Sequence, residues 1–215
     1  MIRGMAAPRS LHRVSTVDAL ADALRREILD GSLPAGAWLR ERELVEAYGV
    51  ARHSLRAALR ALAADGLVRI EPHRGARVAQ LTAADVRWLY ELRAALELEA
   101  AHLALERNDG RLPPEVHEAQ DRLEAACAGT DPPWSAINEA HAGLHGAIVA
   151  AARSPRIEAA HAALSGEMRL FLLALRPHLD PARLAADHKA LVEDLEAHGP
   201  AALREHLRIA AETLA

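Results

Sequence analysis

The sequence predicts a mainly α fold in two parts. Residues 15–79 read as a helix-turn-helix followed by a small β-hairpin wing, and residues 80–215 as an antiparallel bundle of six or seven helices. Three observations carry this prediction. Apolar residues recur at helical spacing along most of the chain. The available core is aliphatic: 51% of residues are hydrophobic but only 3% are aromatic, and the abundant Leu and Ala favour helix. The charge is divided: residues 1–79 hold 13 Arg against nine acidic residues, net +4, and residues 80–215 hold 13 basic against 21 acidic residues, net −8. A basic first third on an acidic remainder implies two tasks rather than one.

Residues 1–14 show no periodicity and are expected to form a flexible arm. The first helix is predicted from about Val17 to Asp30, with Val17, Leu20, Leu24 and Ile28 on one face, Ser15 or Thr16 as N-cap and Gly31 as the stop. Leu33-Pro34-Ala35-Gly36 reads as a turn. A short helix, about Glu41 to Tyr48, turns at Gly49 into the stretch Gly49–Leu67, where Leu55, Leu59 and Leu62 form an apolar stripe and Gly66 ends the run. Its start carries Arg52, His53, Ser54 and Arg56. By itself this stretch fits a basic surface helix and a helix that reads DNA equally well. Its flanks favour the second: a short helix and a Gly turn precede it, and Leu67–Glu71 and Ala76–Val78, alternating around Pro72-His73-Arg74-Gly75, form a hairpin after it. Arg74 at the hairpin tip is placed to reach a phosphate or the minor groove.

The motifs here are specific: Ile28-Leu29-Asp30-Gly31, Leu39-Arg40-Glu41, Gly49-Val50-Ala51-Arg52, Arg56-Ala57-Ala58-Leu59, Asp65-Gly66-Leu67 and Arg74-Gly75-Ala76-Arg77-Val78. This segment resembles the winged helix of the GntR family of bacterial transcription regulators. The resemblance implies DNA contacts by Arg42, Arg52, His53, Ser54, Arg56 and Arg74, with Arg52 the candidate for bidentate guanine readout. Ala51 departs from the family pattern, which has Ser or Thr there.

The second part opens on Thr82 and Asp85, a capping box with Asp at the third position, and its first helix is predicted to reach about Glu106. Five more helices follow: about Pro114–Ala126, from after Pro133 to Arg153, from Ser154-Pro155 to Leu175, from Asp180-Pro181 to His198, and from Pro200 onward. Each Pro sits near a first helical turn, where its missing N–H costs nothing. The stretches LTAADVRWLYELRAALELEAAHLA, LHGAIVAAARSPRI, DHKALVEDL and ALREHLRIA resemble the ligand-binding FCD domain of the FadR-type branch of that family.

Many members of this branch hold a divalent metal through an Asp and three His, and the metal helps to bind a carboxylate effector. Carried over by position, the resemblance implies His145, His188 and His206 as ligands. His141 stands where the family has its Asp. Either four imidazoles form the site, which favours zinc, nickel or copper over manganese or magnesium, with zinc first and nickel the alternative, or His141 stands aside and water completes the sphere. With 12 His in the chain, a pair at i and i+4 is weak evidence alone. His102, His117, His161 and His178 read as surface or packing residues. Arg93 and Arg169 are candidate anchors for an effector carboxylate, with an ordinary salt bridge the alternative for each.

The expected protein is a homodimeric repressor that binds a palindromic double-stranded operator and responds to a small carboxylate metabolite. The single cysteine, Cys127, excludes an internal disulfide and a cysteine zinc finger. The first ten residues lack the apolar core of a signal peptide, and no run approaches the length of a membrane span. A cytoplasmic protein with no membrane association is expected. The alternative is a metal-dependent enzyme, a hydrolase or oxygenase, but His141-Ala142-Gly143-Leu144-His145 lacks the Glu of a zinc-protease motif.

Overall fold

A computed structural model describes residues 15–212; the N-terminal arm expected over 1–14 lies outside the described residues. The fold is mainly helical, with one three-stranded antiparallel sheet. The N-terminal unit contains α1 (Thr16–Asp30), β1 (Trp38–Leu39), α2 (Glu41–Tyr48), α3 (Arg52–Ala64), β2 (Val68–Glu71) and β3 (Gly75–Val78). The second unit contains α4 (Ala83–Arg107), α5 (Pro114–Cys127), α6 (Trp134–Ala151), α7 (Pro155–Ala162), α8 (Ser165–Leu175), α9 (Pro181–His198) and α10 (Ala201–Glu212).

Local chemistry sets the ends of these elements. The Ser15 hydroxyl accepts from the Asp18 amide and caps α1, which Gly31 closes in the left-handed region at φ 89°. Beyond α3, Gly66 takes φ 76° and the Leu67 amide donates to the Leu62 carbonyl at 2.9 Å, closing the last helical turn. Thr82 and Asp85 form the predicted reciprocal capping box on α4.

Two large apolar cores follow from the helical stripes, beside a small third cluster of Ala100, Val149 and Ala152. In the first, Leu24 and Ile28 of α1 meet Leu55, Leu59 and Leu62 of α3, with Leu67, Val68 and Val78 from the wing. Truncating a fully buried leucine such as Leu55 costs about 2–5 kcal/mol. The second core joins α4, α5, α6, α8, α9 and α10 around Leu123, Ile137, Leu144, Ile148 and Leu195.

Two features differ from the prediction. β1 extends the hairpin to three strands in the order β1-β3-β2, with Trp38 opposite Arg77 and Leu39 opposite Ala76. The helix expected from Pro155 to Leu175 is broken at Ala163 and Leu164 into α7 and α8. The cause is tertiary. After the break, Gly166 lies against the end of α3, so close that a Cβ on it would stand 1.7 Å from the Asp65 carbonyl oxygen. Leu170 of α8 is buried in the first core. Within the first unit Arg25 of α1 donates to Asp65 at 2.7 Å, and across the two units Arg69 of the wing pairs with Asp85 at 3.4 Å. The two units therefore meet along α8, the start of α4 and the face of α6 that α1 packs against.

Candidate DNA-reading face and metal centre

The start of α3 is the exposed end of the N-terminal unit. Arg52, His53 and Arg56 point outward, whereas Ser54, Leu55, Ala58 and Leu59 point inward. Ala51 gives α3 no side-chain cap, so the first amides of the helix stay open to an anion such as a phosphate. Arg42 on α2 is exposed, and neither it nor Arg52 makes an ion pair among the described residues. Arg56 is held by Glu41 at 3.0 Å. Arg74, at the wing tip, pairs with Glu71 at 3.2 Å and lies over the Trp38 ring at 5.2 Å. Five of the six predicted residues thus stand on accessible surface. Ser54 is the exception: it is buried because its position on α3 falls on the side that packs against the core.

In the bundle, four imidazoles from three helices converge. His141 and His145 lie one turn apart on α6, His188 comes from α9 and His206 from α10. The His141 ring is 4.8 Å from that of His145 and 4.7 Å from that of His188; the His206 ring is 4.6 Å from that of His188 and 5.7 Å from that of His145. Candidate ligand atoms of His141, His145 and His188 all lie within 4.8 Å of one another. His206 joins the cluster as a ring neighbour.

The rings present free lone pairs. His188 Nδ1 donates to the Leu184 carbonyl at 2.8 Å, so its proton sits there and Nε2 is an acceptor. His145 Nδ1 is 2.8 Å from Glu97 Oε2. The Nε2 atoms of both rings are buried with no hydrogen-bond partner. Leaving a buried acceptor unsatisfied costs about 1–3 kcal/mol, and a metal ion is the partner that neutral imidazoles take in such a place. Burial, above all, pushes all four imidazoles below their ordinary range, His188 to about 3 and His206 to about 2, with mutual repulsion and the charge of Arg93 adding to it. They are neutral near pH 7, the form that binds metals. The residues present therefore fit a transition metal.

Arg93 of α4 is buried beside this cluster. Its Nε donates to Glu97 Oε1 at 2.8 Å, its guanidinium lies 4.8 Å from the Tyr90 ring centre, and one terminal nitrogen is buried without a partner. Arg169 lies elsewhere. It pairs with Glu139 at 2.7 Å and lines a cleft between the two units with Arg25 and Asp65.

Two residues of the centre escape a reading by sequence. His161, grouped there with surface and packing residues, is buried with Nε2 3.1 Å from Glu97 Oε1, whereas His102, His117 and His178 are exposed. Glu97 is fully buried, and Arg93 and the two histidines hold its carboxyl well below the usual range against the opposing effect of burial. Its position four residues after Arg93 on one helix face was the available signal.

Comparison with known proteins agrees with the two-part fold. Residues 16–78 match the family model described as bacterial regulatory proteins, gntR family, and residues 88–212 match that of the FCD domain. A protein of Paenarthrobacter nicotinovorans described as "Probable D-xylose utilization operon transcriptional repressor" is 31% identical over 201 residues, covering 94% of this chain and 87% of the relative. The gluconate operon transcriptional repressor of Bacillus licheniformis is 34% identical over 87 residues, 40% of this chain and 35% of its own length. Among solved structures, a "putative transcriptional regulator GntR" from Rhodococcus sp. RHA1 superposes with a TM-score of 0.75 at 26% identity, covering 92% of this chain and 96% of that one. Among the described residues no helix is long and apolar enough to cross a membrane. These relatives are transcription regulators and not enzymes, and the chain belongs with them: it is a GntR-family transcription regulator with a C-terminal FCD domain.

Proposed function

We propose that the chain is a metal- and ligand-responsive repressor, acting in the cytoplasm as a homodimer on a palindromic operator. Residues 15–79 hold the DNA and residues 80–215 bind the effector and dimerise. The observation that carries the control mechanism is the pair of buried, unpartnered Nε2 atoms on His145 and His188 within the four-imidazole cluster. His141, His145, His188 and His206 hold one divalent transition metal, and this all-nitrogen, uncharged donor set favours zinc, with nickel the alternative. The metal supplies a Lewis-acidic point for an anionic ligand, and the free terminal nitrogen of Arg93 supplies a second. A small carboxylate is the ligand class that satisfies both.

Arg42, Arg52, His53, Arg56 and Arg74 form the DNA-reading set, with Arg52 reading a guanine and Arg56 leaving Glu41 for a base or phosphate. Repression is inferred from the two relatives described as operon transcriptional repressors. The contact of α8 with the end of α3 is the route by which the bundle biases the reading helices.

Operator duplexes selected from a random pool test the DNA half. Arg52→Ala should weaken binding by about 1–3 kcal/mol per half-site, roughly 5- to 150-fold, with unchanged thermal stability. Operator binding of that variant at full strength would show that α3 is not the reading helix.

A further inference from the structure

Glu97 lies outside the four-imidazole set, and its relative exposure is 0%. Its carboxylate ties three helices together: Oε1 accepts from Arg93 Nε of α4 at 2.8 Å and lies 3.1 Å from His161 Nε2 of α7, and Oε2 lies 2.8 Å from His145 Nδ1 of α6. An ionised carboxylate can only accept. The proton of His145 therefore sits on Nδ1, and its Nε2, which is buried and otherwise unpartnered, carries the lone pair. His161 likewise carries a proton on Nε2. Among the described residues Glu97 is the hydrogen-bond partner given for His145 Nδ1, and it thereby selects between the two tautomers of the ring.

We propose that Glu97 is the positioning residue of the metal centre: it fixes the tautomer and orientation of His145 so that Nε2 faces the ion, while Arg93 and His161 fix Glu97. The inference rests on the reading that the imidazole cluster binds a metal. An outer carboxylate of this kind commonly contributes 10- to 100-fold to metal affinity. Glu97→Gln keeps the shape but offers one accepting oxygen to three donors, and its amide N–H groups oppose the Nδ1–H form.

The test has two parts. Zinc and cobalt affinities of wild type and Glu97→Gln are measured by competition with a chelator. Nitrogen-15 spectra of histidine-labelled, metal-free wild type then report the His145 tautomer. Expected are a 10- to 100-fold weaker metal affinity in the variant and a protonated Nδ1 with a bare Nε2 on His145 in wild type. Equal affinities in the two proteins, or a wild-type His145 protonated on Nε2, would overturn the proposal, and the second result needs no variant to fold. A wild-type chain that takes up no metal would instead refute the metal reading, which distinguishes the two failures.

Discussion

Replacing Gly166 with alanine is expected to destabilise the protein by about 3 kcal/mol, the upper range for overpacking a well-filled contact. The added Cβ would stand 1.7 Å from the Asp65 carbonyl oxygen, 2.8 Å from its carbon and 3.1 Å from Leu67 Cγ. The first two atoms are backbone, at the end of α3, so no change of rotamer relieves the clash. Either α8 withdraws, taking Leu170 out of the first core, or the end of α3 shifts. For a chain of this size the loss corresponds to a drop in melting temperature of roughly 6–12 °C. Gly143→Ala is the matched control: Gly143 is exposed within α6, nothing lies within 4 Å of its added Cβ, and alanine is the better helix former by about 1 kcal/mol. Its melting temperature should be unchanged or higher. If both variants melt alike, the α8–α3 contact is not as close as described, and the proposed route between the units loses its basis.

The second large effect is acid sensitivity of the metal-free protein. Burial holds His188 at about 3 and His206 at about 2, and lowers His141 and His145 as well. In the unfolded chain an imidazole titrates near about 6.5. As pH falls below that value the unfolded chain takes up protons that the folded chain refuses, so stability is lost progressively from about pH 6.5 down through about 2. Each fully refused proton contributes about 1.4 kcal/mol per pH unit. Above pH 7 these groups give no pH dependence. Urea midpoints of chelator-treated protein should fall between pH 7 and pH 5, and His188→Leu should flatten the slope. A midpoint that holds constant across that interval in wild type would contradict neutral, buried imidazoles.

Much of the N-terminal unit was legible because its signals are local. The stripes of α1 and α3, the Ser15 cap, the glycines after both helices and the Pro72–Gly75 turn each act within a few residues. The Thr82–Asp85 capping box was legible for the same reason. What escaped was set by distant contacts. Trp38 and Leu39 are a strand only because β3 pairs with them, and two residues carry no periodicity. The α7–α8 break contains neither Gly nor Pro at Ala163-Leu164 and follows from the docking of Gly166 on Asp65. Arg169, on α8 beyond that break, lines the cleft between the units.

The centre divides in the same way. His141 and His145 share a helix face by spacing alone, but their meeting with His188 and His206 was foreseen only through family resemblance. Glu97 and His161 are 64 residues apart and meet through the packing of α7 on α4, which no local pattern encodes. Ser54 shows the converse limit: a polar residue beside Arg52 and His53 reads as part of the exposed face, yet its angular position on α3 turns it inward.

On this reading the four-imidazole cluster is a metal site governing a DNA-binding repressor. The most direct measurement is the metal content per chain of purified wild type and His145→Ala by native mass spectrometry with elemental identification. Removing His145 deletes the ligand that Glu97 orients and opens the middle of the cluster. One transition-metal ion, zinc or nickel, is expected per wild-type chain, and none retained by the folded variant. A wild-type chain free of metal after exposure to both ions, or full occupancy in His145→Ala, would contradict it.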